Sequence, residues 1–188
     1  MAGESGEGGN IDDFVDFYMD LHKSLKIDDW IAANEFLFLH PHAIRAKITD
    51  KGETALHVAA EAGHVRIVEE LVKQMSEEDL EIVDNNGYTA LALAASSGYY
   101  SMAQCMLGKN KNLCRIREKQ GNIPVTLALY NGHSDLAWLF YSRTPPDILD
   151  PEICSMGAVV LREAILSKTL CKNLLSIEYY FLLEIFAV

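Results

Sequence analysis

The residues with the most chemistry to offer sit in Thr54-Ala55-Leu56-His57-Val58-Ala59-Ala60-Glu61, where an imidazole lies one helical turn from a carboxylate. Such a pair is raw material for general acid–base catalysis. Cys105 and Cys114 offer thiols, and His40 and His42 flank Pro41. Glu69, Glu70, Glu77, Glu78, Asp79 and Glu81 crowd a short stretch with carboxylates. None of these groups completes a reactive set. A nucleophile needs an oriented base, and neither cysteine has one nearby in sequence. The cysteines Cys105, Cys114, Cys154 and Cys171 form no CxxC pair, and no third ligand accompanies His40 and His42. Gly52, Gly87 and Gly121 are turn glycines, and none opens a phosphate loop. The acidic stretch reads as a solvated helix end and loop. No catalytic residue, metal ligand or cofactor site is expected, so the chain is read as a non-enzyme.

Charge narrows the partners. The net charge is −11. Nucleic acid requires a basic face that displaces counterions from phosphates, and anionic membrane surfaces attract basic segments; neither fits. The acid is uneven: Met1 to Asp20 contains no Lys or Arg, whereas Lys109, Lys111, Arg115, Arg117 and Lys119 fall within eleven residues. That basic run reads as a solvated loop, with an acidic partner or the acidic N-terminus as the alternative contact. Scattered cysteines with mostly apolar flanks suit a reducing compartment. There is no Asn-x-Ser/Thr sequon, and the N-terminus has neither the positive nor the apolar region of a secretory signal. A cytoplasmic location is expected.

The elements that must position these residues come from a repeat. Gly52-Glu53-Thr54-Ala55-Leu56 runs through a helical stretch to Gly63, and an apolar-periodic helix follows at Val65, Val68, Leu71 and Val72. The order returns at Gly87-Tyr88-Thr89-Ala90-Leu91 through Gly98, and again at Gly121-Asn122-Ile123-Pro124-Val125 through Gly132. The glycine-to-glycine offsets are 35 and 34 residues. A fixed period near 34 means stacked helix–turn–helix units of one kind.

Taken in order, residues 1–13 read as a disordered acidic tail, because Gly, Glu and Ser bury no apolar area. A repeat domain is expected over 14–170. Its units fall at about 16–48, 49–83, 84–117 and 118–149, with a partial cap at 150–170. In the first unit, Phe14, Phe17, Tyr18, Leu21 and Leu25 return at helical spacing; Asp28-Asp29 offers an N-cap for a second helix, and Pro41 stops it. This unit lacks the glycine between its helices. Thr54 is placed to cap the first helix of the second unit, and Pro124 sits in the first helical turn of the fourth, where its missing N–H costs little. Ser76-Glu77-Glu78-Asp79 reads as a loop, and Pro145-Pro146 ends the fourth unit's second helix. Residues 171–188 form an apolar helix or tail. Its stretch Leu174–Val188 has 15 residues and contains Glu178 and Glu184, short of the roughly 20 apolar residues of a membrane helix.

The stretch Gly52-x-Thr54-Ala55-Leu56-His57-x-Ala59-Ala60-x-x-Gly63-His64 resembles an ankyrin repeat. It departs from the usual signature at Ala55, and the later units have Ala92 and Thr126 in place of His57. The resemblance implies an all-α ankyrin-repeat solenoid of stacked helix-turn-helix units with short finger loops. It also implies that His57 bonds backbone near the finger and sets repeat geometry, with His64 and His133 similarly structural. A closer resemblance runs through Asp29-Trp30, Phe36-Leu37, Pro41 to Thr49, Glu78 to Glu81, Leu91 to Ala95 and Asp147 to Pro151. These stretches are similar to plant ankyrin proteins with a C-terminal PGG-type membrane region, a group implicated in defence and stress signalling. The multi-helix membrane region is missing from this sequence.

The fold so implied points to binding on a concave face of finger tips and first-helix ends. The candidate partner-binding residues are Asp50, Lys51 and Glu53; Asn85, Asn86 and Tyr88; and Lys119, Gln120 and Asn122. The ends of the first helices add Glu61, Ser96, Ser97, Tyr130 and Asn131. Tyr88 and Tyr130 are the natural anchors, since tyrosine gives large contact area at low entropy cost. The expected function is a protein-interaction scaffold; the alternative is a membrane-associated signalling fragment, at the cytosolic face of the plasma membrane, that docks on full-length ankyrin relatives or inserts its apolar tail.

Overall fold

The computed structural model describes residues 11–149, with side chains from residue 17 onward. The acidic residues before 11, the expected cap at 150–170 and the apolar segment 171–188 lie outside the described residues. The chain divides into two compact units, at Ala90 and Leu91. Among the described residues every regular element is helical.

The first unit contains α1 (Ile11–Lys26), α2 (Trp30–Leu39), α3 (Ala55–Ala62) and α4 (Val65–Gln74), with 3-10 turns at Pro41–Ile44 and Glu78–Glu81. α1 begins three residues before Phe14, where the apolar periodicity starts. It packs on α2 and α3, and α3 packs on α4. Leu21, Leu25, Leu56, Ile67 and Leu71 are sealed between them. Each such side chain contributes roughly 1.5–3 kcal/mol by leaving water. Asp29 caps α2, its carboxylate accepting from the Ala32 N–H at 3.1 Å. Asp28 takes a left-handed φ of 62°, so the first repeat makes its inter-helix turn with Asp where the others use Gly.

The second unit contains α5 (Ala90–Ser97), α6 (Tyr100–Lys109), α7 (Pro124–Tyr130), α8 (Ser134–Tyr141) and α9 (Pro146–Leu149), with a 3-10 turn at Lys111–Arg115. α8 packs on α7 and α6, and Met102, Met106, Leu107 and Phe140 are fully buried. α7 opens at Pro124, which has no N–H to leave unpaired at the first helical position. Pro146 begins α9, after α8 has already ended at Tyr141.

One segment is more ordered than its polarity suggests. Ser76–Asp79 leads into a 3-10 turn instead of staying an open loop. The Ser76 N–H donates to Asp79 Oδ2 at 2.9 Å, and the Asp79 N–H donates to Ser76 Oγ at 3.2 Å. This reciprocal pair satisfies two donors at the start of the turn.

Candidate partner-binding surface

Three fingers project from the helix pairs, and each is closed from its base. In the first finger, Thr49 Oγ1 accepts the Glu53 N–H at 3.1 Å and donates to Glu53 Oε2 at 2.8 Å. In the second, Asp84 Oδ1 accepts the N–H groups of Asn86 and Tyr88, both at 2.8 Å. In the third, Glu118 accepts the Gln120 N–H at 2.7 Å and the Asn122 N–H at 2.9 Å. Asp84 and Glu118 are buried. A buried carboxylate needs several donors, and the finger backbone supplies them. The finger conformation is thus fixed without the tip side chains.

The tips therefore differ in what remains available. Asp50, Lys51, Asn86, Lys119 and Gln120 are exposed. Asn85 is exposed, yet its N–H donates to the Lys51 carbonyl at 2.8 Å and its Nδ2 to the Asp50 carbonyl at 2.9 Å, tying one finger to the next. Asn122 is half-buried and its amide donates to Glu118 Oε1 at 2.8 Å. Tyr88 is half-buried. Glu53 departs from the expected open tip: it is only 6% exposed. The Thr49 hydroxyl draws its carboxylate back into the finger.

The first-helix ends divide in the same way. Glu61 is exposed but paired with Lys26 Nζ at 2.6 Å, and this ammonium holds its carboxyl below the usual range. Ser97, Tyr130 and Asn131 are exposed and Ser96 is half-buried. The Ser96 hydroxyl donates to the Ala92 carbonyl at 3.1 Å, and the Asn131 amide donates to the Leu127 carbonyl at 2.8 Å. These two side chains finish their helices. Within the first unit, bonding joins Asp50, Lys51 and Asn85; within the second, Lys119, Gln120 and Asn122 share one finger.

The groups with catalytic chemistry are placed otherwise. His57 is 1% exposed. Its Nε2 lies 2.9 Å from the Tyr88 carbonyl, which can only accept, so Nε2 carries the proton. Nδ1 then accepts from the Thr54 hydroxyl at 2.8 Å and the Thr54 N–H at 3.3 Å. Burial pushes its pKa down, against the opposing pull of the Tyr88 bond and nearby carboxylates. His57 is a neutral strut from its own helix start to the next finger. His64 and His133 repeat the idea at the other end of the helices, each aiming Nε2 at a carbonyl of the preceding unit: Lys26 at 3.0 Å and Ser96 at 3.1 Å. The His40 ring lies 4.9 Å from Phe17 and 4.8 Å from Phe36 in an aromatic cluster. Cys114 is buried, and burial raises its thiol pKa to about 11, far from a nucleophile's range. Within the basic run, Arg115 pairs with Asp147 at 2.5 Å.

Sequence reasoning did not single out the finger bases Thr49, Asp84 and Glu118. A signal was present: each is a polar residue three positions before a turn glycine, the spacing of a type I turn.

The comparisons agree with this geometry. Residues 31–115 match the family model described as ankyrin repeats (3 copies). The chain is 36% identical over 74 residues to ankyrin repeat-containing protein ITN1 of Arabidopsis thaliana, covering 37% of this chain and 12% of that protein. It is 29% identical over 119 residues to E3 ubiquitin-protein ligase KEG of Arabidopsis thaliana, covering 62% of this chain and 7% of the ligase. It is also 30% identical over 76 residues to the probable 26S proteasome regulatory subunit p28 of Saccharomyces cerevisiae, covering 40% of this chain and 33% of that subunit. The matched stretches are thus a minor part of each relative. In sequence, residues 31–115 match ankyrin repeats, and the described residues have the all-α helix–turn–helix fold of an ankyrin-repeat solenoid.

Proposed function

We propose that this chain is a non-enzymatic protein-interaction scaffold that engages a protein partner through its finger tips and first-helix ends. Ankyrin repeats generally mediate protein–protein interaction. The observation that carries the reading here is that the fingers are closed from their bases. Thr49, Asp84 and Glu118 fix the finger backbones, on which Asp50, Lys51, Asn86, Lys119 and Gln120 are exposed, and Tyr130 is exposed at the end of α7. A backbone fixed before binding loses little entropy on binding. The resemblance to plant ankyrin proteins, together with the similarity to an Arabidopsis thaliana ankyrin protein, supports a setting in plant defence or stress signalling, in the cytoplasm.

Affinity capture from plant extract tests this reading. The wild type is compared with a variant carrying Lys51→Glu, Asn86→Ala, Lys119→Glu and Tyr130→Ala, with circular dichroism confirming that it is folded. Loss of at least one partner by tenfold or more is expected. An unchanged partner set overturns the assignment to this surface.

A second reading rests on the apolar stretch Leu174–Val188. It would let the chain associate with the cytosolic face of the plasma membrane or dock on full-length ankyrin relatives. No helix among the described residues is long and apolar enough to cross a membrane. Vesicle partition of the chain with and without residues 174–188 separates the two readings. Partition that depends on those residues favours the second.

A further inference from the structure

The four helix pairs share a register set by the backbone. Asp28, Gly63, Gly98 and Gly132 are the left-handed residues between first and second helices, with φ of 62°, 83°, 81° and 75°. Counting from them, equivalent positions on α2, α4, α6 and α8 can be compared. Three residues on stand Ile31, Arg66, Ser101 and Asp135. Ten residues on stand Phe38, Lys73, Gly108 and Ser142. Eleven residues on stand Leu39, Gln74, Lys109 and Arg143. In α4 and α6, and at Asp135 of α8 and at Ser142 and Arg143 just past its end, these positions are charged, polar or glycine, as a solvated face requires. In α2 they are Ile, Phe and Leu, exposed by 80%, 82% and 65%. The core does not need them: α2 buries Ala33 and Leu37 instead.

One charge interrupts the stripe. Glu35 lies between Ile31 and Phe38 on this face, is exposed, and has no ion-pair partner among the described residues. In α4 the equivalent Glu70 is neutralised by Lys73 at 2.7 Å.

We propose that the outer face of α2 is a second docking surface, which takes the apolar face of a partner protein's helix bearing a Lys or Arg at its centre. The surface is distinct from the finger tips and stands independently of them. Contiguous apolar surface rimmed by polar residues marks interaction sites, and apolar anchors at helical spacing are the reading frame of helix-to-helix recognition. The free Glu35 selects the occupant. A bilayer would have to take up this carboxylate along with the stripe, and the net charge of −11 opposes anionic lipid. A second copy paired about a two-fold axis would set Ile31 against Phe38, and so Glu35 against Glu35. A basic residue in a partner's apolar face satisfies both the stripe and the charge.

The test uses the full chain and two synthetic helical peptides with the same leucine face, one with Lys and one with Glu at its centre. Fluorescence anisotropy measures binding to the wild type, to Ile31→Ser/Phe38→Ser and to Glu35→Lys. All three positions are exposed, and circular dichroism verifies folding. The wild type is expected to prefer the Lys peptide. The double serine variant should weaken that binding at least tenfold, and Glu35→Lys should reverse the preference. Failure to bind either peptide, an unaltered preference in Glu35→Lys, or unchanged binding by the serine variant overturns the proposal. So does a sedimenting dimer, or partition into phosphatidylcholine/phosphatidylserine vesicles, that the serine substitutions abolish: the first would assign the stripe to a second copy, the second to a membrane.

Discussion

The second and fourth repeats solve one problem with different reach. Both must satisfy the backbone where the first helix leaves its finger. In the second repeat His57 does so, bonding Thr54 with Nδ1 and the carbonyl of Tyr88, 31 residues away, with Nε2. In the fourth, Thr126 occupies the equivalent place. Its hydroxyl accepts the Ile123 N–H at 3.1 Å and donates to the Ile123 carbonyl at 2.8 Å, and among the described residues its bonding stays within its own turn. The long side chain couples a repeat to the next finger, while the short one only closes its own turn. Repeat arrays gain cooperativity from interfaces between neighbours. The finger at 84–88 is therefore held from behind by His57 as well as by its base Asp84, whereas the finger closed on Glu118 follows the repeat with Ala92, whose methyl group cannot hydrogen-bond to it.

The largest expected effect comes from His57→Ala. It leaves a buried cavity and strips partners from Thr54 N–H and Tyr88 C=O, at a cost of about 3 kcal/mol in urea denaturation. Hydrogen exchange should accelerate through residues 84–88 as well as at the start of α3. Exchange that changes only at α3 would break the contrast with the fourth repeat. Next is Gly52→Ala. The left-handed φ of 74° disfavours a side chain, and an added Cβ would fall onto Asn85 Oδ1. The strain alone is about 1–2 kcal/mol, and the Asn85 link between fingers should loosen with it. Thr126→Val keeps the volume and loses only the local bonds. About 1 kcal/mol is expected, with faster exchange confined to residues 123–127. A spread into α6 of the third repeat would show that the fourth repeat is coupled after all.

Acid sharpens the comparison further. The His57 pKa is lowered in the folded state from 6.5 in the free side chain. The unfolded chain then binds more protons below that value. His57's contribution is complete above about pH 6.5 and is lost as pH falls through its folded-state pKa. Denaturation midpoints should drop between pH 7.5 and pH 5, and this component should vanish in His57→Gln. An equal drop in that variant would assign the loss to other groups. The smallest effect is expected from the exposed pair Lys26–Glu61. Lys26→Ala should change stability by about 0.5 kcal/mol or less, and less still in high salt. A shift above 1 kcal/mol would mean that this pair, and not His64 on the Lys26 carbonyl, holds α1 to its neighbour.

Much of this architecture is legible in the chain because the repeat states it several times over. Gly63, Gly98 and Gly132 mark helix turns, and Val65, Val68, Leu71 and Val72 mark a buried stripe, since period and polarity are local properties. The structural role of His57 follows from its repeat motif. Asp28 is harder to see: a left-handed Asp leaves no glycine to count from, so the first repeat reads as divergent although its turn is equivalent. The finger bases are hard to see for a similar reason. Thr49, Asp84 and Glu118 share no side-chain type, only a task, and that task appears when their acceptors are seen against the finger backbone. The burial of Glu53 is not legible at a finger tip, because the hydroxyl of Thr49 that draws it in is four positions away.

The sequence by itself determined the unit: its helix–turn–helix order, its turn glycines and which faces are apolar. These follow from dihedral preferences and from the burial of periodic apolar residues, which act over one or two helical turns. Tertiary structure decided which polar groups are already occupied. It placed Glu53 and Asn122 within their fingers, left Asp50, Lys51, Asn86, Lys119 and Gln120 exposed, and turned Ile31 and Phe38 outward while Ala33 and Leu37 meet the core. Hydrogen bonds and contacts between residues tens of positions apart are not written in local spacing, so only the folded chain distinguishes a side chain that holds the array together from one that remains exposed for a partner.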